Sequence, residues 1–117
     1  MPKIVLDQLP QSPLPAETGT VLRRFASGEN ITVAKITFLA GSVLPGHRHV
    51  NEQFTIVLEG TLEFVNESGT KTIIGAGEMM HLPGGEWHGA TALSDATVMD
   101  VFSPVRADWS LSPSPPA

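Results

Sequence analysis

Apolar and polar residues alternate along eight short runs of this chain, and turn residues such as Gly, Asn, Ser and Asp separate the runs. The runs cover residues 20–26, 31–39, 54–58, 61–65, 71–74, 79–82, 88–93 and 97–102. No apolar period of 3.6 residues, as an amphipathic helix would have, persists in any of them. The pattern predicts an all-β sandwich or barrel with little helix.

The two ends of the chain differ from this β-rich middle. Residues 1–19 are rich in proline and predict an extended arm with one short strand near residues 4–6, suited to packing across a partner subunit. Residues 20–109 carry the β-rich runs and predict one barrel domain. Residues 110–117 contain mostly proline and serine and predict a flexible tail.

Length and charge narrow the functional classes. A chain of 117 residues with 41% hydrophobic content suits one small core. A net charge of −5 argues against affinity for nucleic acid or for an anionic membrane surface. The absence of cysteine excludes disulfides and thiolate ligands and fits a reducing compartment. Without a signal-peptide pattern or a membrane-spanning run, we expect a cytoplasmic protein.

All four histidines lie in two windows that are bounded by glycine and proline. His47 and His49 are two residues apart, so both project from one face of a strand, and Gln53 keeps that parity if the extended chain continues. A later strand pairing can then bring His88 opposite them. Three imidazoles and an amide oxygen are typical ligands of Zn, Fe, Ni, Mn or Co, so the sequence predicts one divalent transition metal per chain.

The alternative is that these histidines are ordinary hydrogen-bonded side chains, because a single His-x-His pair is a weak signal. For His81 we expect a strand side chain near the barrel wall, and for Glu52 a solvent-facing or supporting position. Trp87 and Trp109 are expected at an interface, where tryptophan is enriched.

The predicted ligand set contains no carboxylate, because Gln53 is neutral. A divalent metal held by neutral ligands keeps its full charge and favours an anion in its open positions. The set therefore indicates a carboxylate, enolate or alkoxide substrate, although water or hydroxide would also satisfy the metal.

A third group of residues lies near the end of the last β-rich run. Val98, Asp100 and Phe102 share one face of this predicted strand, and a carboxylate between apolar neighbours is costly unless it is paired or used. Arg106 follows a Ser-Pro turn and can clamp a carboxylate in a bidentate way. The alternative is a structural Asp100–Arg106 salt bridge that closes the strand end.

The two histidine windows resemble the paired motifs of the cupin superfamily. The first motif is matched at Gly41, His47, His49, Gln53 and Gly60, and the second at Gly77, Pro83, Gly85 and His88. Two positions depart from the general pattern, since Gln53 replaces Glu and Ala92 replaces Asn. The resemblance implies the cupin double-stranded β-helix, a jelly-roll barrel, and a homodimer.

Within that superfamily, three segments resemble the KdgF-type cupins of pectin degradation. They are His47-Arg-His-Val-Asn-Glu-Gln53, Gly85-Glu-Trp-His-Gly-Ala90, and Asp100-Val-Phe-Ser-Pro104 with Arg106. The resemblance implies metal ligands at His47, His49, Gln53 and His88, and catalytic or substrate-contacting roles at Asp100, Phe102 and Arg106. It also implies a small anionic sugar acid as substrate, a 4,5-unsaturated monouronate opened to the linear 5-keto-4-deoxyuronate.

Two other functions fit the same sequence. Histidine-rich cupin sites with open positions also occur in non-haem iron oxygenases, and a cupin can be a non-catalytic sugar-binding module, because one fold hosts many activities.

Overall fold

The computed structural model describes residues 1–109, in which ten strands form two antiparallel sheets and one short 3₁₀ helix precedes the first strand. The helix spans Leu6–Gln8. The strands are β1 (Ser12–Leu14), β2 (Val21–Ser27), β3 (Thr32–Phe38), β4 (Val43–His47), β5 (Glu52–Glu59), β6 (Thr61–Asn66), β7 (Lys71–Gly75), β8 (Met79–Leu82), β9 (His88–Ala92) and β10 (Ala96–Ser103). The predicted flexible tail, residues 110–117, lies outside the described residues.

The six-stranded sheet has the order β1-β2-β3-β10-β5-β8, and the four-stranded sheet has the order β4-β9-β6-β7. From β3 onwards the chain repeatedly changes sheet, for example between β4 and β5 and between β9 and β10. Two facing sheets joined by such crossovers make a jelly-roll barrel. The predicted all-β class and barrel architecture are therefore confirmed.

Strict alternation places the core between the two sheets. Burial alternates at every residue of β3 and along β10 from Ala96 to Phe102, so one face of each strand points into the barrel. Ile36, Val57, Leu62 and Val98 are at most 1% exposed. Burying each such side chain is worth roughly 1.5–3 kcal/mol relative to leaving it in water. This apolar layer fixes the strands from which the polar site residues project.

The N-terminal segment differs from its prediction. No strand forms near residues 4–6, where the side chains are exposed, and the chain turns into the 3₁₀ helix instead. A strand needs a partner edge, and the free edge of β2 is paired with β1, with Ser12 opposite Arg23. The predicted arm of residues 1–19 thus contributes an edge strand to the barrel, and Asp7 bonds Lys35 of β3 at 2.8 Å.

The strand β4 was not among the eight predicted runs. Its Leu44-Pro45-Gly46 sequence has the composition of a turn, because proline and glycine normally interrupt strands. Within residues 1–109, no helix has the length and apolar character needed to cross a membrane.

Candidate metal centre

Three histidines meet at one end of the barrel. His47 is the last residue of β4, His88 is the first residue of β9, and the two are direct partners in the strand register. His49 lies in the loop that follows β4. One ring nitrogen from each histidine can be chosen so that all three lie within 4.8 Å of one another. The structure thus brings together the three predicted imidazole ligands.

The predicted reason for this convergence is wrong, because His47, His49 and Gln53 do not share one extended strand. β4 ends at His47 in the four-stranded sheet, and β5 begins at Glu52 in the six-stranded sheet. The connecting loop is held by Asn51, whose Nδ2 donates to the carbonyl oxygens of Pro104 at 2.6 Å and Val105 at 3.1 Å. A loop anchored by a buried amide, rather than strand parity, therefore positions His49.

The three imidazoles are fixed in the same tautomer. His47 Nδ1 lies 2.9 Å from the carbonyl oxygen of Pro45, His49 Nδ1 lies 3.0 Å from that of Asn51, and His88 Nδ1 lies 3.0 Å from that of Glu86. A carbonyl oxygen only accepts, so each Nδ1 carries the proton and each neutral ring keeps its lone pair on Nε2. Metal-binding histidines are typically oriented by such a bond at the second nitrogen.

Burial keeps two of these rings neutral. It lowers the pKa of His88 to about 4. It also lowers the pKa of His49, and the nearby charge of Arg106 adds to this effect. Neutral imidazole is the form that binds a metal, so neither ring must lose a proton near neutral pH.

Gln53 is oriented by a chain of hydrogen bonds. The Thr55 hydroxyl donates to Asp100 Oδ1 at 2.6 Å and therefore accepts from Gln53 Nε2 at 2.9 Å. The Gln53 carbonyl oxygen then faces His49, with Oε1 3.0 Å from Nε2. Given the tautomer of His49, both of these atoms are acceptors with no proton between them.

Two lone pairs that converge at this distance fit a shared cation. Adjacent ligands at right angles around a metal, with bonds of about 2.1 Å, lie about 3.0 Å apart. The donor set of His47, His49, His88 and Gln53 therefore fits one divalent metal by the chemistry and orientation of its atoms.

Asp100 is the carboxyl group at the end of this chain of hydrogen bonds. It lies on β10 directly opposite Thr55 of β5, on the inward face that it shares with Val98 and Phe102. Burial raises the pKa of Asp100 to about 6, although the hydrogen bonds from Thr55 and Gln53 and the charge of Arg106 act in the opposite direction. The group can therefore both take up and release a proton near neutral pH.

Arg106 does not pair with Asp100, so the alternative of an Asp100–Arg106 salt bridge is wrong. Its Nε and Nη2 donate to the two carboxylate oxygens of Asp108, at 3.1 and 2.9 Å. In the backbone turn that follows Arg106, Trp109 N donates to the carbonyl oxygen of Arg106 at 3.0 Å. This turn brings the side chains of Arg106 and Asp108 to the same side. The guanidinium also lies over the ring of Phe102, at 4.8 Å from its centroid.

Two aromatic rings extend the site away from the histidines. Phe102 is 1% exposed and contacts His49 at 5.7 Å and Trp109 at 5.0 Å between ring centroids. Trp109 is itself 7% exposed, so its expected place at a subunit interface is wrong. It packs inside the barrel, against Phe25 as well as Phe102.

Most of these side chains line one cavity of about 490 Å³, a volume typical of small-molecule sites. His47, Gln53, Thr55, His88, Asp100, Phe102, Arg23, Arg106, Asp108 and Trp109 are among its lining residues. His81 lies outside, where it bonds Glu52 at 2.7 Å and stacks on Phe54.

The sequence reasoning missed several of these residues. Thr55 shares parity with Gln53 on β5 and could have been found from that spacing. Arg23 stands between Val21 and Phe25 at an inward position of β2, where an apolar residue is expected. Asn51 and Asp108 carried no recognisable signal, because their partners are distant backbone atoms or lie in an irregular turn.

Comparison with known proteins agrees with the geometry. The family model described as Cupin domain matches residues 34–102, and the chain therefore belongs to the cupin family. The structure of KdgF from Halomonas sp. is 31% identical, with a TM-score of 0.73, over 83% of this chain and 89% of that chain. The predicted likeness to KdgF-type cupins is thus confirmed.

Other solved structures share the fold. An RmlC-like cupin from Shewanella frigidimarina is 25% identical, with a TM-score of 0.75, over 88% of this chain and 90% of that chain. A predicted oxalate decarboxylase from Thermotoga maritima superposes with a TM-score of 0.76 over 88% and 99% of the two chains, and at 16% identity it shows the fold alone. A search of the curated proteins finds no match.

Proposed function

We propose that this cupin is a metal-dependent isomerase that opens the ring of 4,5-unsaturated monouronates from pectin or alginate breakdown and forms the linear 5-keto-4-deoxyuronate. One observation carries the proposal. Gln53, whose Oε1 faces His49 Nε2, donates to Thr55, and Thr55 donates to Asp100, which places a carboxyl group with a pKa of about 6 beside the candidate metal ligands. The similarity to KdgF from Halomonas sp. supports it.

His47, His49, Gln53 and His88 would hold one divalent transition metal, with Ni, Zn, Fe, Mn and Co as candidates. When bound, such an ion supplies positive charge near the oxygen on which negative charge develops during ring opening. The remaining tasks of binding, shielding and proton transfer belong to the side chains of the cavity.

The reaction requires one proton to leave the substrate and one to return. The substrate is a cyclic enol ether with a hemiacetal at C1. Asp100 accepts the proton of the C1 hydroxyl, the C1–O5 bond breaks, and its electron pair leaves on O5 as an enolate. Asp100 then returns the proton to C4, which converts the enolate into the C5 ketone and conserves the proton count.

Two further residues shape the cavity in this proposal. Phe102 forms a buried wall between His49 and Arg106, and it limits the access of water to the enolate. Arg106 is held rigidly by Asp108 and supplies a positive potential that favours an anionic substrate.

The proposal is tested by following the loss of ultraviolet absorbance of unsaturated galacturonate or mannuronate, since ketonisation destroys the conjugated chromophore. Metal-loaded wild-type protein should accelerate this loss over buffer. Asp100→Asn should retain metal and fold but lose activity by about 10²–10⁴-fold, because a positioned acid–base group contributes that much.

The matched control is Asp95→Asn, which removes a carboxylate from the loop before β10, where Asp95 accepts from the Ala40 amide. This variant should keep the wild-type rate. If wild-type protein does not accelerate chromophore loss, the ring-opening assignment fails. Oxygen uptake with the same substrate would then favour an oxygenase, and binding without turnover would favour a sugar-binding module.

A further inference from the structure

Arg23 is a buried cation in the cavity wall. It lies on the inward face of β2 between Val21 and Phe25, it is 8% exposed, and it lines the cavity. A charged group removed from water is costly unless it is paired or has a ligand. The position of Arg23 therefore calls for an explanation.

The partners of Arg23 inside the chain satisfy only part of its guanidinium. Nε donates to Ser12 Oγ at 3.0 Å, and the guanidinium carbon lies 4.7 Å from the Trp109 ring centroid and 5.3 Å from that of Phe25. Among residues 1–109, no carboxylate lies within 4.0 Å of it, and its two terminal nitrogens have no hydrogen-bond partner. The two aromatic rings thus fix the plane of the Arg23 guanidinium, while its two terminal nitrogens remain available as donors.

Arg106 is in the opposite situation, although both guanidinium groups lie against Trp109. Arg106 already engages Asp108 through two hydrogen bonds. The charge of Arg106 also lowers the pKa of Arg23, after the larger effect of burial, so the two cations act on each other. The Asp108 carboxylate is therefore the charge that opposes both Arg23 and Arg106 at this end of the cavity. Two positive charges against one negative charge leave this end with an excess of positive charge.

We propose that Arg23 is the principal carboxylate-binding residue of the cavity, and that it receives the carboxylate of the substrate through its two free nitrogens. A planar guanidinium with two parallel donors matches a carboxylate in geometry and in charge. That the bound acid is a uronate rests on the proposed function, whereas the recognition of a carboxylate rests on Arg23 alone.

The register of the sheet sets the scale of this site. β2 and β10 are separated only by β3, and the register places Arg23 level with Ile36 and Val98, two residues along β10 from Asp100. With strands about 4.8 Å apart and a rise of about 3.4 Å per residue, the Arg23 and Asp100 backbones are about 12 Å apart across the sheet. Contacts run without a gap from His49 to Phe102, from Phe102 to Trp109, and from Trp109 to Arg23. A monosaccharide acid can therefore lie along this row, with its carboxylate at Arg23 and its reacting carbons near Asp100.

Calorimetric titration of metal-loaded protein with galacturonate tests the inference. This saturated sugar acid carries the carboxylate but lacks the double bond between C4 and C5, so it reports binding without turnover. Arg23→Gln should raise the Kd by about 10–100-fold, the loss expected for hydrogen bonds to a charged group. Arg23→Lys should raise the Kd by less, because lysine keeps the positive charge although it lacks the two parallel donors of the guanidinium.

The matched control is Arg24→Gln, which removes the same charge from the neighbouring position of β2. Its guanidinium donates to the carbonyl oxygen of Leu9 and does not line the cavity. This variant should keep the wild-type Kd within about twofold. Near-ultraviolet circular dichroism and metal content establish that each variant is folded, and Arg23→Met, which keeps the stem over Trp109, replaces Arg23→Gln if that variant is misfolded.

An unchanged Kd in a folded Arg23→Gln protein would overturn the inference, as would the absence of galacturonate binding to the wild type. Failure of the proposed function looks different. In that case wild-type protein binds galacturonate through Arg23 but leaves unsaturated uronates unchanged.

Discussion

At the scale of single residues, the Thr55 hydroxyl connects the two halves of the site. It has one proton, which goes to Asp100, so its oxygen must accept from the Gln53 amide. This single constraint turns the Gln53 carbonyl oxygen towards the histidines. A residue that contacts no metal in the proposed site thus decides which atom of Gln53 is offered to it.

Thr55→Val should therefore weaken metal binding by about 10–100-fold, the usual effect of losing a group that orients a ligand. Valine has nearly the same shape, so the barrel should fold normally while the Gln53 amide becomes free to rotate. Competition with a chelator measures the affinity. Thr37→Val, at an outward position of β3, is the control and should not change it. Equal affinities for the two variants would contradict the orienting role.

Asp100 should also make stability depend on pH in the metal-free protein. Its pKa is about 6 in the fold, against 3.8 when unperturbed, so the folded state holds the proton more tightly. The contribution of the Asp100 proton to the free energy of unfolding is complete below about pH 4 and is lost as pH rises through about 6. The difference between these two pKa values corresponds to about 3 kcal/mol of unfolding free energy at neutral pH.

Urea unfolding in the presence of a chelator, compared between wild type and Asp100→Asn, isolates this effect. The stability difference between the two proteins should change by up to about 3 kcal/mol from pH 4 to pH 7, in the direction that favours the Asn variant at neutral pH. Other titrating groups, such as His88, are common to both proteins and cancel. Parallel curves would contradict the raised pKa.

At the scale of elements, the pairing of β4 with β9 sets the distance between two histidines. Gly46 makes this pairing possible, because a Cβ atom there would lie 1.7 Å from an atom of the Trp87 ring. His47 and His88 are the next residues along the chain from Gly46 and Trp87, respectively. A side chain at position 46 must therefore displace the Trp87 ring or the strands that carry these two candidate ligands.

Gly46→Ala should destabilise the protein by about 1–3 kcal/mol through overpacking and lower the metal affinity at the same time. Chemical denaturation and metal titration measure the two effects. Gly75→Ala in β7 is the control, since its Cβ would make only contacts of 3.9 Å. A variant at Gly46 that matched the control in both measurements would show that Trp87 yields without moving the histidines.

At the scale of the whole molecule, the candidate ligands come from both sheets. His47 and His88 belong to the four-stranded sheet, and Gln53 belongs to the six-stranded sheet. A bound metal would join the sheets at the open end of the barrel, and removing it should lower the stability of the whole domain.

Metal removal should cost about 2.7 kcal/mol when free metal had been present at a hundred times its Kd, and this lowers Tm by about 10 °C. Differential scanning calorimetry of loaded and chelator-treated protein measures the change. A variant with alanine at both His47 and His88 should bind no metal and show no response. Identical Tm values for loaded and chelated wild type would contradict a site that joins the sheets.

We also propose that the protein is a homodimer. Ile4, Val5 and Leu6 are exposed in the N-terminal segment, where they form an apolar stretch suited to packing against a second copy. Light scattering after size exclusion should give twice the chain mass of 12.4 kDa. A monomer mass that does not change with concentration would reject the dimer.

Much of this molecule follows from local pattern in the sequence. Alternation and turn residues predicted the β8 run with its observed bounds and the other seven runs to within two residues at each end. The inward face of β10, with Val98, Asp100 and Phe102, follows from the same period of two. Motif spacing selected His47, His49, Gln53 and His88 because ligand chemistry needs those residue types at those positions. These features depend on neighbours along the chain, and the sequence displays them directly.

Other features depend on which distant segments meet, and only the tertiary structure decided them. His49 reaches the site from a loop held by Asn51, and Arg106 pairs with Asp108 instead of Asp100. Arg23 enters the cavity because β2 lies two strands away from β10. Charged residues follow no periodic pattern along the sequence that would reveal their partners. The packing of distant strands decides which charged side chains meet. The sequence therefore determines which residues can do the chemistry, and the fold determines which of them remain free to do it.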